Sequence, residues 1–174
     1  MIGESGPSCN IEEIFSRLVS QYQEQLLHMC AAYLRDRSAA EDAVQETFLK
    51  AYRALPGFRG ECSEKTWLIK IAVNCCRDYR RSAWHRYIDR RVSIDQLPIL
   101  SSAPPSDDHI ALTMAIMKLK PKYMEVVLLY FYEGYPIKEI AKMLNLTEAA
   151  VSSRIHKAKQ KLKAELEGGE DDEK

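Results

Sequence analysis

A chain of 174 residues with 46% hydrophobic content can bury one ordinary core or two small helical ones, which excludes disorder throughout. The seven glycines and seven prolines gather in a few stretches and leave long runs of Ala, Leu, Glu, Lys and Gln, so the expected class is all-α. A formal net charge of zero weighs against a uniformly basic nucleic-acid binder, yet the charge is unevenly placed.

In chain order, residues 1–10 read as a loose leader rich in Gly, Ser and Pro, and apolar periodicity begins at Ile11, Ile14, Phe15 and Leu18. A second apolar series, Leu26, Leu27, Cys30, Tyr33 and Leu34, continues towards Asp36. Ser38 is the expected N-cap of the next helix, over 39–55, with Glu41 and Asp42 in its first turn and Pro56-Gly57 as its stop. Residues 58–63 form a loop, Ser63 caps another helix, and that helix extends to about Ala83. The pattern then fades into a proline-stiffened linker, residues 89–107. Beyond it, helices are expected near 109–119 and from Pro121, with a break at residues 133–136 and two more helices after that. The acidic tail, residues 168–174, is glycine-broken and expected to fray. The architecture is thus two small helical domains, an N-terminal helical bundle over 11–88 and a C-terminal helix-turn-helix domain over 108–167, joined by a flexible linker.

The five cysteines are odd in number, contain no C-x-x-C pair and follow no secretory signal or bilayer-length apolar stretch, which points to a reduced cytoplasmic setting. His28 and Cys30 have no matching second pair, so no metal and no cofactor are expected, and the thiols read as buried apolar groups. The competing reading is a redox role for the adjacent Cys75 and Cys76, whose side chains would point about 100° apart on a helix.

Two basic stretches stand out. Six arginines between Arg77 and Arg91 face only Asp78 and Asp89, and five basic residues with no acid run from Arg154 to Lys163, while six acids lie between Glu165 and Glu173. Either run taken alone is as well explained by a solvated helix face.

The segment from Pro136 to Ile155 has helix-turn-helix spacing: small Ala141 permits close helix approach, Asn145 suits a left-handed turn, Thr147 caps the next helix, and Val151 with Ile155 packs inward. That arrangement presents Ser152, Ser153, Arg154, His156, Lys157 and Lys159 outward, a set able to enter a major groove. On the helix after Ser63, Leu68, Ala72, Cys75 and Tyr79 form the expected buried stripe, and Thr66, Lys70, Asn74, Arg77 and Arg81 the opposite polar stripe, which suits phosphates and a base-reading amide or, taken alone, is an ordinary solvated face. The preceding loop, with Phe58, Arg59, Gly60, Glu61, Cys62, Ser63 and then Lys65, offers an aromatic ring and backbone groups for an unstacked base, or else is a helix-connecting turn with Phe58 packed as core. On the helix over 39–55, Val44, Phe48, Ala51 and Leu55 face inward, leaving Asp42, Gln45, Glu46, Leu49 and Arg53 outward for a protein partner.

The ordered blocks over 42–52, 58–61 and 66–74, with the helix-turn-helix, resemble the extracytoplasmic-function (ECF) group of bacterial sigma factors over roughly residues 11–166. The resemblance implies that Asp42, Gln45, Glu46 and Leu49 dock on the clamp helices of the largest subunit of core RNA polymerase. It implies further that residues 58–66 with Asn74 read and melt the minus-ten element. The second domain would read the minus-thirty-five element beside the flap region of the second-largest subunit, and the linker would run near the RNA exit path. A membrane-linked or soluble anti-sigma factor is the implied antagonist, so the cytoplasmic protein would be held at the membrane when that antagonist is membrane-linked. No small-molecule substrate and no catalytic residue are expected. The chain departs from the family pattern at Ser152 and Lys157, where basic residues and Arg are common, and Cys62 with Lys65 specify no particular base. The competing function is a stand-alone helix-turn-helix regulator whose N-terminal half is a sensor or dimerisation module; no Walker, zincin or nucleophile-elbow motif supports an enzyme.

Overall fold

The computed structural model describes residues 7–83 and 107–168, with side chains described over 10–82 and 110–168. Residues 1–6 of the expected leader, the linker through residue 106, Arg86, Arg90 and Arg91 of the first basic run, and the tail from residue 169 lie outside the described residues. The chain divides into two compact units, within Met1–Arg91 and Val92–Lys174, and their regular structure among the described residues is helical throughout.

In the first unit, α1 (Pro7–Leu34) carries both apolar series on one uninterrupted helix that begins inside the stretch read as a leader. It closes at Arg35, whose φ of 58° is left-handed and whose N–H donates to the Ala31 carbonyl at 2.9 Å. The next helix, α2 (Arg37–Ala54), starts two residues earlier than expected because Asp36, not Ser38, is its cap: the Asp36 carboxylate accepts from the Ala39 N–H at 3.0 Å. Both residues are competent caps, but Asp36 has the extended backbone a cap needs, and its charge faces the positive end of the helix. A single 3-10 turn, Leu55–Gly57, then leads into the loop, and Ser63 accepts from the Thr66 N–H at 3.1 Å to start α3 (Glu64–Ala83).

These three helices pack on one another through Leu18, Leu26 and Met29, through Ala40, Val44, Phe48 and Ala51, and through Leu68, Ile69, Ala72 and Cys76, all buried. Phe15 meets Phe48 and Tyr52 edge-on, with ring centroids 6.1 and 4.9 Å away. Buried Thr47 returns its hydroxyl to the Ala43 carbonyl at 2.6 Å, so the one polar group of this stripe is satisfied within its own helix. Two sequence expectations shift. Tyr79 is exposed at the rim of an open groove that it lines with Asp42, Glu46 and Lys50 of α2, and Leu55 is only half-buried in the 3-10 turn.

The second unit contains α4 (Asp107–Lys118), α5 (Pro121–Val127), α6 (Ile137–Leu144) and α7 (Glu148–Leu166). Pro121 sits at the first turn of α5, where its missing N–H costs nothing. The same rod continues as a π-helical segment, Leu128–Tyr132, closed by the Glu133 N–H donating to the Leu128 carbonyl at 2.9 Å. Met124, Val126, Leu129, Ile140, Val151 and Ala158 fill the core, with α7 packed against α4, α5 and α6.

One polar clamp ties the first unit across its length. Arg17 on α1 grips Glu64, the first residue of α3, with Nη1 donating to Oε2 at 2.9 Å and Nη2 to Oε1 at 2.7 Å. Hydrogen bonding from Arg17 holds the Glu64 carboxyl below its ordinary pKa, against the opposing effect of burial. A carboxyl depressed in the folded state stabilises the fold above its unfolded pKa and loses that contribution as pH falls through the folded value. Because both side chains are part-exposed and screened by solvent, Arg17→Ala is expected to lower stability only slightly at neutral pH. Urea unfolding across pH should show the gap to the parent protein closing below the ordinary carboxylate range of about 4.3. A gap that stays constant in acid would assign the effect to packing of the arginine stem.

Candidate nucleic-acid and protein interfaces

Burial of the inner stripe of α3 fixes the rotation of that helix, and its outer face follows. Lys70, Asn74 and Arg81 are exposed, with Thr66 and Arg77 half-buried between them and the core. The five polar residues expected on one face therefore share it, and the basic character grows towards the C-terminal end, where Arg80 and Arg81 occupy the last turn. Arg80 lies over the Tyr33 ring of α1, 5.9 Å from its centroid, which makes it a packing residue.

The loop before α3 is held at both ends. Phe58 stacks on Trp67, centroids 4.7 Å apart and planes 27° from parallel, while the Arg17–Glu64 clamp and the Ser63 cap fix the far side. Between these anchors Arg59, Gly60, Glu61, Cys62 and Ser63 are exposed and Lys65 is half-buried. Gly60 has φ of 71°, a conformation in which a side chain would be strained. An open recess of about 410 Å³ lies here, walled by Phe58, Arg59, Glu61, Cys62, Trp67 and Lys70. One face of the Phe58 ring is thus already occupied, and the aromatic surface of the site is the Phe58–Trp67 pair. Apolar periodicity gives Trp67 no role in this site; the available signal is an aromatic in the first turn after a loop cap.

On α2, Asp42, Gln45, Glu46, Leu49 and Arg53 are all exposed as expected, and Leu49 keeps 52% of its surface accessible. An exposed leucine among carboxylates is a common feature of protein-binding faces. Lys50, on the flank of this face, lies 3.6 Å from Glu46 Oε1 and 3.7 Å from Asp78 Oδ2. Burial works against its ammonium, but Cys75, Glu46 and Asp78 together hold its pKa above the ordinary value. Burial in turn pushes the Cys75 thiol up, so the thiol stays protonated at neutral pH and acts on Lys50 as a hydrogen-bond partner, while the two carboxylates supply the charge attraction. A raised thiol pKa also argues against a reactive Cys75. Cys30 and Cys76 are likewise buried, whereas Cys62 is exposed and departs from the expectation of buried thiols.

In the second unit the helix-turn-helix is built as its local chemistry requires. Ala141 is buried between α6 and α7, Asn145 adopts φ 55° and ψ 52°, and the N–H groups of Asn145 and Leu146 both return to the Ala141 carbonyl. Thr147 Oγ1 accepts from the Ala150 N–H at 3.2 Å and starts α7. With Val151 and Ile155 buried, Ser152, Ser153, His156 and Lys157 are exposed and Arg154 is half-buried. Lys159 is exposed too, but its ammonium rests over the Phe131 ring, 5.3 Å from the centroid. The π-helical turn carries Phe131 outward to 51% exposure, a placement that helical periodicity does not anticipate. Beyond it, Lys118 pairs with Glu165 and Lys163 with Glu167, so part of the distal charge of α7 is compensated within the unit.

Among the described residues no three His, Cys, Asp or Glu side chains are grouped to hold a metal, and no helix is long and apolar enough to cross a membrane.

Comparison with known proteins fits this geometry. Residues 18–86 match Sigma-70 region 2 and residues 109–162 match Sigma-70, region 4. The chain is similar to the ECF RNA polymerase sigma factor SigM of Bacillus subtilis, 30% identical over 166 residues that cover 94% of this chain and 99% of that one. It is also 30% identical over 163 residues to the probable RNA polymerase sigma factor RfaY of Xanthomonas campestris pv. campestris, covering 89% of this chain but only 41% of that longer protein. Among solved structures it is similar to CnrH in complex with the cytosolic domain of CnrY, at 26% identity, 91% coverage of each chain and a TM-score of 0.67. The chain belongs to the ECF group of RNA polymerase sigma factors, alternative sigma factors that bind core RNA polymerase and promoter DNA and direct transcription initiation.

Proposed function

We propose that the first unit docks on the clamp helices of polymerase through Asp42, Gln45, Glu46 and Leu49 and uses α3 with its preceding loop to read and melt the minus-ten element. The observation that carries this reading is the division of labour in one small unit: an acidic face with an exposed leucine on α2, and a polar, increasingly basic face on α3. Lys70, Arg77 and Arg81 suit the sugar-phosphate backbone, Asn74 a base edge, and the recess beside Phe58 and Trp67 an unstacked base.

The second unit then reads the minus-thirty-five element through the N-terminal half of α7, where Ser152, Ser153, Arg154, His156 and Lys157 stand, beside the flap region of the second-largest subunit. Lys159 contributes phosphate contact by leaving its seat on the Phe131 ring. None of this work makes or breaks a covalent bond: capture of unpaired bases is enough to favour the open duplex, so the protein acts without catalytic residues or cofactor.

The protein works in the cytoplasm beside polymerase and the chromosome, and an anti-sigma factor covers its functional faces until a signal removes it. Support comes from the similar chain CnrH, solved with the cytosolic domain of another protein. A membrane-linked antagonist would hold this chain at the membrane. Family membership weighs against the stand-alone regulator.

Charge reversal tests the docking face. Asp42→Arg with Glu46→Arg, both at exposed positions, should leave the helical fold intact by circular dichroism and weaken core binding at least tenfold, roughly 1.4 kcal/mol or more. Unchanged core affinity would remove the assignment. Melting is tested separately with Asn74→Ala, which should slow opening of a linear promoter, read by permanganate, far more than it impairs use of a premelted template. Equal defects on both templates would assign Asn74 to simple affinity.

A further inference from the structure

A row of alternating charges runs from the α2 face to the α3 face. Glu46 and Asp78 stand on either side of the Lys50 ammonium at 3.6 and 3.7 Å, and Asp78 Oδ1 lies 3.5 Å from Arg81 Nη2. Neither carboxylate contact of Lys50 is as short as the roughly 2.7–2.9 Å of a tight charge-assisted bond, so the cation, which also hydrogen-bonds the Cys75 thiol, is shared between two carboxylates and committed to neither. It sits in an open groove of about 440 Å³ whose other lining groups are Asp42, Ala43, Tyr79, Ser82 and the Cys75 thiol. The residues at the two ends of the row, Glu46 and Arg81, are the ones assigned to polymerase and to DNA.

We propose that Lys50 is a positioning residue that couples polymerase docking to DNA engagement: a polymerase cation that takes Glu46 shifts Lys50 onto Asp78, and Asp78 in turn releases Arg81 to a backbone phosphate. This rests on the reading of the two faces given above. In the free chain Asp78 competes with DNA for Arg81, so the α3 face is at its weakest before polymerase binds. The shift needs no rearrangement of the backbone, only a change of partner for one flexible side chain whose two partners are already equidistant. All four side chains are substantially exposed, which limits the coupling to about two- to fivefold.

The test is a double-mutant cycle on the full chain. Glu46→Gln and Arg81→Gln are combined singly and together, and the affinity of each variant for core polymerase loaded with a premelted promoter fragment is measured in the parent, Lys50→Met and Lys50→Arg backgrounds. The expected result is a departure from additivity of about two- to fivefold with Lys50, its persistence with Lys50→Arg, and additivity with Lys50→Met. Additivity in every background, or the same departure with Lys50→Met, overturns the coupling while leaving the two faces assigned. If Glu46→Gln or Arg81→Gln leaves affinity for the loaded polymerase unchanged, the assignment of that face and the coupling fall together.

Discussion

Leu68, Ile69, Ala72, Val73, Cys75 and Cys76 bury one side of α3 against α1 and α2, and every surface the first unit presents depends on that contact. A helix advances about 100° per residue, so seating these six side chains leaves the helix no freedom to rotate. Thr66, Lys70, Asn74, Arg77 and Arg81 are then turned away from the core together. Magnitudes decide which interactions set this geometry. Each large buried apolar side chain contributes about 1.5–3 kcal/mol, whereas an exposed ion pair such as Lys50 with Asp78 contributes at most about 1 kcal/mol. The core therefore fixes the faces, and the surface charges adjust within them.

That separation of scales has a functional consequence. Groups such as Lys50 and Asp78 can exchange partners at little energetic cost because the fold does not rest on them, while the loop anchored by Phe58, Trp67 and Ser63 is held in place by packing and capping. The second unit follows the same rule in a different way. Its α6–α7 turn is set by a left-handed Asn145 and a Thr147 cap, both local, and Val151 and Ile155 then pin the rotation of α7 so that its N-terminal half stands clear.

Features governed by neighbours along the chain are legible in the amino-acid sequence. The caps at Ser63 and Thr147, the left-handed Asn145, the stop at Pro56-Gly57 and the exposed α2 face each follow from side-chain chemistry within one helical turn. Ser38 and Asp36 can both cap, and only the backbone angles separate two candidates two residues apart in favour of Asp36. Tyr79 falls on the inward stripe by spacing, yet it is exposed because it borders an open groove against α2 and not a packed seam. Contacts between distant positions leave no trace in local pattern: Arg17 with Glu64, Lys50 with Asp78, Phe58 with Trp67 across the loop. The π-helical turn that exposes Phe131 is equally hidden, since an i to i+5 bond changes the very period that apolar spacing assumes.

On the proposed reading, two helical units in one chain direct core polymerase to promoters with two short elements. Selection from a randomised duplex library tests this most directly: core polymerase is given the purified chain, and the templates that yield run-off transcripts are sequenced. The expected result is two enriched elements upstream of a common start site, separated by a narrow range of spacings, and no enrichment with core polymerase alone. Enrichment of a single palindromic site that the chain also protects in the absence of polymerase would contradict it.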